Sequence, residues 1–215
     1  MKKKKLWLIP VIALPVLALA IVLLILNSAP GGFTYRETND GIAITGYTGD
    51  GTDIVIPAKV KGKPVTRIDR LAFDGLGTTD EAKKCRKITS VVIPESVTVI
   101  GENAFRNCDR LTAVTIPNGV TYIGEAAFRD TGLTSVSIPD GVTDIEEKTF
   151  IGCTDLKTVT IPGSVRTIGD RAFKNCSSLS DVYFAGTDTE WYAISTGIEN
   201  DPLSRADIHM NAGEP

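Results

Sequence analysis

The sequence predicts a repeat solenoid with a parallel β-sheet on one face and turns and short helices on the other, preceded by one transmembrane helix. Three observations predict it. The segment TIPNGVTYIGEAAF, residues 115–128, recurs as VIPESVTVIGENAF ending at Phe105, SIPDGVTDIEEKTF ending at Phe150 and TIPGSVRTIGDRAF ending at Phe173. Each copy keeps the apolar residues and changes the polar ones. One long uncharged apolar run stands ahead of all the copies.

Residues 1–5, MKKKK, read as a cytoplasmic basic tail, because lysines flanking an apolar span stay inside. Residues 6–26, LWLIPVIALPVLALAIVLLIL, form an uncharged run of 21 residues. At 1.5 Å rise per residue a helix needs roughly 20 apolar residues to cross the hydrocarbon core, so this run predicts a signal anchor. Pro10 and Pro15 are tolerated better there than in a soluble helix. The competing reading is a cleaved signal peptide, whose apolar region is usually about 7 to 15 residues; the length favours the uncut anchor. Either way the rest of the chain is exported. Residues 27–32, ending in SAPGG, read as a short flexible linker.

Beyond the linker the period is explicit. Equivalent phenylalanines fall at 73, 105, 128, 150 and 173, and Ile-Pro pairs end at Pro57, Pro94, Pro117, Pro139 and Pro162. The last four coils advance by 23, 22 and 23 residues, a solenoid period. The longer first spacing reflects an insertion, GLGTTDEAK, that projects between Phe73 and Cys85. Within a unit, Val114-x-Ile116 has the strand period, and the later spacing with Ala127-Phe128 suits a helical turn. Proline after the strand cannot donate to a ladder and, with Asn118-Gly119 or Asp140-Gly141 behind it, makes a turn. No coil can bury its own apolar edge, so the coils must stack over residues 57–182.

Open ends would expose apolar residues and strand edges, so different chemistry is expected there. Residues 33–56 begin FTYRETNDGIAITGY, alternating around Asn39-Asp40-Gly41 like a hairpin, and form an N-terminal β cap. Residues 183–215 abandon the Ile-Pro pattern and bring Trp191, Leu203 and Ile208 to a C-terminal cap and tail.

The unit IPxxVxxIGxxAFxxCxxLxxVxIP, with the opening GYTGDGTDIVIP and the closing VYFAGTDTEWYAI and NDPLSRADIH, resembles the BspA-like leucine-rich-repeat surface proteins of bacteria and some protists. The resemblance covers residues 33 to about 210. It implies a curved solenoid of leucine-rich-repeat type, a cell-surface location and adhesion to proteins or cells. It supplies no catalytic motif.

Four features of the sequence could carry chemistry. Cys85, Cys108, Cys153 and Cys176 share one row, with Asp130-Thr131 in its place in the middle coil. Without CxxC and with His209 as the only histidine, a zinc site is disfavoured and buried free thiols are expected. Glu102, Glu125, Glu147 and Asp170 form an acidic row that reads as charge in the first turn of each short helix. Calcium would need further oxygen ligands that the neighbours do not supply regularly. Asn175-Cys176-Ser177 matches a glycosylation acceptor but falls in the repeat corner. The exposed side of the sheet reads Ser90 and Val92, Ala113 and Thr115, Ser135 and Ser137, Thr158 and Thr160, then Asp181 and Tyr183. Such residues pair well across strands and keep a sheet soluble, and they also offer a flat, nearly uncharged docking face. The candidate binding residues are therefore Ser90, Val92, Thr115, Ser135, Ser137, Thr158, Thr160 and Tyr183.

Lys2 to Lys5 are the only charges in the first 32 residues. Removing these four from the chain's 23 basic residues leaves 19 against 26 acidic ones, which argues against a nucleic-acid partner. The expected protein is a single-pass bacterial cell-membrane protein with its C-terminal domain outside. It is expected to act without cofactor, metal or catalysis as a binding or adhesion module for a protein or glycan, contacting the membrane through residues 6–26. The alternative is a structural scaffold of the envelope that organises neighbouring membrane proteins.

Overall fold

The structure is a computed structural model that describes residues 32–210. The expected tail, membrane span and most of the linker lie outside the described residues. Among the described residues no helix is long and apolar enough to cross a membrane.

Sixteen short strands form among the described residues, most of them in stacked coils, because each Val-x-Ile triplet can hide its apolar side chains only beneath the next coil. The main sheet face is built from parallel strands. Asp53–Val55, Ser90–Val92 and Ala113–Thr115 form one three-stranded sheet, and Ser135–Ser137, Thr158–Pro162, Asp181–Ala185 and Asp207–Met210 form one of four strands. The sheet thus runs on through the region expected to be cap, because Asp207-Ile208-His209-Met210 repeats the in-out pattern of Asp181-Val182-Tyr183-Phe184.

The front end is the hairpin its Asn-Asp-Gly signal predicts. Phe33–Thr38 pairs antiparallel with Gly41–Tyr47, which passes the stack to Lys63–Ile68 in parallel. At the back, the helix Asp188–Ala193 carries a Thr187/Glu190 capping box, and Trp191 packs its ring 5.3 Å from that of Phe184.

The short helices expected in each coil are not there. Where they were expected, Val99–Ile100, Tyr122–Ile123, Asp144–Ile145 and Thr167–Ile168 form a second set of parallel strands, followed by turns. In the turns, alternate backbone N–H groups donate to the next coil. Phe73 donates to Ala104 at 2.7 Å, Phe105 to Ala127 at 2.8 Å, Phe128 to Thr149 at 3.0 Å and Phe150 to Ala172 at 2.8 Å. A left-handed residue two positions before each phenylalanine makes this possible: Leu71, Asn103, Ala126, Lys148 and Arg171 all have φ between 53° and 62°. That conformation cannot continue a helix. The acidic row therefore does not sit on helix N-termini. Glu102 pairs with Arg70, and Glu125 and Glu147 share Lys148.

Inside, Phe73, Phe105, Phe128, Phe150 and Phe173 are all fully buried and stack ring on ring, with centroids 4.9, 5.3, 5.7 and 5.3 Å apart. The four cysteines are buried free thiols beside this column. The Sγ of Cys108, Cys153 and Cys176 donates to the carbonyl of Phe73, Phe128 and Phe150 at 3.0, 3.1 and 3.1 Å. Burial pushes these thiols up, Cys153 to about 11 and Cys85 to about 12, so they are poor nucleophiles and poor metal ligands.

Candidate docking face

Strand alternation sends the central valine or isoleucine of each main-sheet strand inward and its two neighbours outward. The parallel register then aligns the outward residues into two rows. One joins Asp53, Ser90 and Ala113, and resumes with Ser135, Thr158, Asp181 and Asp207. The other joins Val55, Val92 and Thr115, and resumes with Ser137, Thr160, Tyr183 and His209. All eight sequence-predicted residues therefore stand on one face. Thr115, Ser135 and Ser137 are exposed, and Ser90, Val92, Thr158, Thr160 and Tyr183 are half-buried by their neighbours. A gap between Thr115 and Ser137 divides the face into two panels, because their strands belong to different sheets.

Each panel ends in a carboxylate. At the front, Asp53 accepts from the hydroxyls of Ser90 at 2.6 Å and Thr89 at 2.8 Å, which hold its carboxyl below the usual range. At the back, Ser180 Oγ donates to Asp181 at 2.7 Å, and His209 Nε2 lies 2.8 Å from the other carboxylate oxygen. These two partners, Ser180 first, lower the Asp181 pKa. The His209 ring stacks on Tyr183 at 4.6 Å with the planes 17° apart. The sequence reading missed His209 as a member of the face, although its alignment with Tyr183 was legible in the Asp-x-aromatic pattern of both strands. Tyr192, beside the cap residue Trp191, is 83% exposed.

Such a surface can bury flat area and exchange hydrogen bonds through hydroxyls. Among the described residues no group of three or more His, Cys, Asp or Glu could hold a metal ion.

The insertion after Phe73 lies beside the front end. Residues 76–81 are exposed, but the helix Asp80–Cys85 folds back and buries Ala82 and Cys85, so only the first part projects. Arg86 Nη1 clamps its base by donating to the carbonyls of Gly75 at 2.7 Å and Gly77 at 3.0 Å.

A family model for the BspA-type leucine-rich-repeat region matches residues 80–194 in six copies. The chain belongs to that family. This BspA-type chain is 34% identical to the T. pallidum leucine-rich-repeat protein over 70% of its own length and 68% of the other's, with a TM-score of 0.64. It is 32% identical to a leucine-rich cell-surface protein of Faecalibacterium prausnitzii, covering 76% of its own length and 40% of that chain, with a TM-score of 0.66. It therefore spans under half of the Faecalibacterium protein. The pneumococcal vaccine antigen PcpA, 15% identical over 84% of this chain and 48% of its own, shares the fold at a TM-score of 0.54. No curated protein matches the sequence.

Proposed function

We propose that this BspA-type protein is a membrane-anchored, non-enzymatic binding module of the bacterial cell surface. It docks a protein or glycan outside the cell through its Ser/Thr sheet face. The carrying observation is the register of Ser137, Thr160 and Tyr183 along one row of that face, short hydroxyl side chains leading to a stacked Tyr183–His209 pair, with Thr115 at the facing edge of the other panel. Small side chains let a partner approach the backbone closely, and aromatic rings supply rigid contact area. The apolar run at 6–26 supports the anchor, and the cell-surface name of the Faecalibacterium relative supports the location.

The test is to screen the full chain in detergent against glycan and extracellular-protein arrays, then repeat with Thr115→Lys, Ser137→Lys and Thr160→Lys combined. Three lysines on a nearly uncharged face should weaken any hit by on the order of tenfold or more while the chain stays folded. Unchanged binding removes the face from the mechanism. Protease shaving of intact cells separately tests the location: peptides from residues 33–210 should be released before lysis.

A further inference from the structure

The junctions between stacked coils can be compared one with another, and one differs. Between the Phe105 and Phe128 coils, Ser90–Val92 pairs with Ala113–Thr115 and Val99–Ile100 with Tyr122–Ile123. Between the Phe150 and Phe173 coils, Ser135–Ser137 pairs with Thr158–Thr160 and Asp144–Ile145 with Thr167–Ile168. Between the Phe128 and Phe150 coils neither ladder forms. Among the described residues, the sheet-side bonds across that junction are long ones, from the N–H and hydroxyl of Thr134 to Thr112 O at 3.4 and 3.5 Å.

Two departures from the repeat account for the two missing ladders. The Phe128 coil is one residue short: Thr131-Gly132-Leu133 stands where the Phe105 coil has Cys108-Asp109-Arg110-Leu111. This tightens the corner that leads into Ser135–Ser137. On the second ladder, Gly101, Gly124, Gly169 and Gly197 touch the preceding coil so closely that a Cβ would lie 2.5 to 2.6 Å from the backbone nitrogen of Arg70, Glu102, Glu147 and Asp170. The Phe150 coil has Glu146 at this position, so a real Cβ holds it away from the coil before it. Glu146 is half-buried and its carboxyl is pushed up, first by burial and then by Asp144 and Glu125.

The turn side of the same junction is intact. Ala126, Phe128 and Asp130 donate to Glu147, Thr149 and Ile151 at 3.0, 3.0 and 2.8 Å, and Lys148 pairs with Glu125 at 3.2 Å. The ring spacing there, 5.7 Å, is the widest of the phenylalanine column. On the sheet side Val114 and Ile116 are only partly buried, whereas Val91, Ile93, Val159 and Ile161 in the same positions are at most 2% exposed.

We propose that the junction between the Phe128 and Phe150 coils is a hinge written into the repeat. Its turn side is the pivot, its sheet side opens, and opening changes the angle between the two panels of the docking face.

Hydrogen exchange read by mass spectrometry on the full chain in detergent tests this directly. Segments 112–116 and 134–138 should exchange roughly tenfold or more faster than 89–93 and 157–161, since they open without unfolding the rest. Glu146→Gly should then slow exchange in 122–124 and 144–146 by letting the second ladder close. Glycine elsewhere in a strand loosens the chain, so slowing is the opposite of the generic effect. Equal protection at all three junctions, or exchange that Glu146→Gly leaves unchanged or accelerates, overturns the hinge.

Discussion

The turn side and the sheet side of this solenoid are made by the same repeats, yet only one of them is continuous. From Phe73 to Phe173 the rings stack without interruption and the backbone bonds step from coil to coil. The sheet opposite is cut in two. Cohesion along the stack therefore comes from the buried column and its turn-side ladder, leaving the sheet face free to vary in sequence and angle. The sharpest way to break the comparison is Phe128→Ala, which removes a fully buried ring between neighbours at 5.3 and 5.7 Å, beside the junction where neither strand ladder forms. A buried Phe→Ala change costs about 3 to 5 kcal/mol. Denaturant unfolding should show a loss in that range, and a loss below about 1 kcal/mol would mean that the column is not what holds the coils together.

The column also needs an end, and Asn200 supplies it. Phe173 N–H has no further coil to meet and donates instead to Asn200 Oδ1 at 2.9 Å, while Asn200 Nδ2 donates to Gly169 O and Gly197 O at 3.0 Å each. Asn200→Ala leaves the buried Phe173 N–H without its acceptor and takes a donor from Gly169 O and Gly197 O, which should cost about 1 to 3 kcal/mol by the same unfolding measurement. An equal cost for Ser137→Ala on the open face would erase the distinction between the two sides.

Smaller again is a pH effect from the thiols. Cys153, hydrogen-bonded to Phe128 O and raised from 9.0 to about 11, keeps its proton longer in the folded chain than in the unfolded one. Its contribution is complete below pH 9 and is lost as pH climbs towards 11, at about 1.4 kcal/mol per pH unit at most. Cys153→Ala should flatten the alkaline limb of the stability profile over that window, whatever it does to stability at neutral pH. An unaltered slope would place the thiol outside the column's sealed interior.

Sequence alone made the coils, the hairpin, the buried thiols and the outward rows legible, because apolar periodicity and parallel register leave few other ways to hide Val114, Ile123 and Phe128. The turn side was harder for a specific reason. Two left-handed positions flank each column phenylalanine from Phe105 to Phe173. The later one is held by Asn107, Asp130, Gly152 and Asn175, residue types that favour this conformation and announce it. The earlier one is held by Asn103, Ala126, Lys148 and Arg171, three of which carry no such signal. There the next coil's carbonyls impose the backbone, at a local cost of roughly 1 to 2 kcal/mol, and a stretch such as Glu125-Ala126-Ala127-Phe128 looks helical until its neighbour is present. His209 was missed for a different reason: its strand repeats the Asp-x-aromatic pattern of the Tyr183 strand, but the loss of the Ile-Pro signal marked that stretch as cap.

The smallest expected effect lies on the outer surface of the turn side. Glu199 accepts from Arg171 Nε and Nη2 at 2.8 and 2.7 Å and also pairs with Lys174. These hydrogen bonds, Arg171's first, depress its pKa from 4.5 to about 2. A depressed carboxylate stabilises the fold above its unfolded pKa and ceases to as pH falls through the folded one, so the window is about 4.5 down to about 2. Glu199→Gln should flatten the acid limb there and lower stability at pH 7 by no more than the height of that limb, which is small because water and salt screen an exposed cluster. Raising the salt concentration should shrink the wild-type acid limb in the same way. A loss at neutral pH as large as that of Asn200→Ala would show that the surface network, and not the buried column beneath it, fastens the last coil.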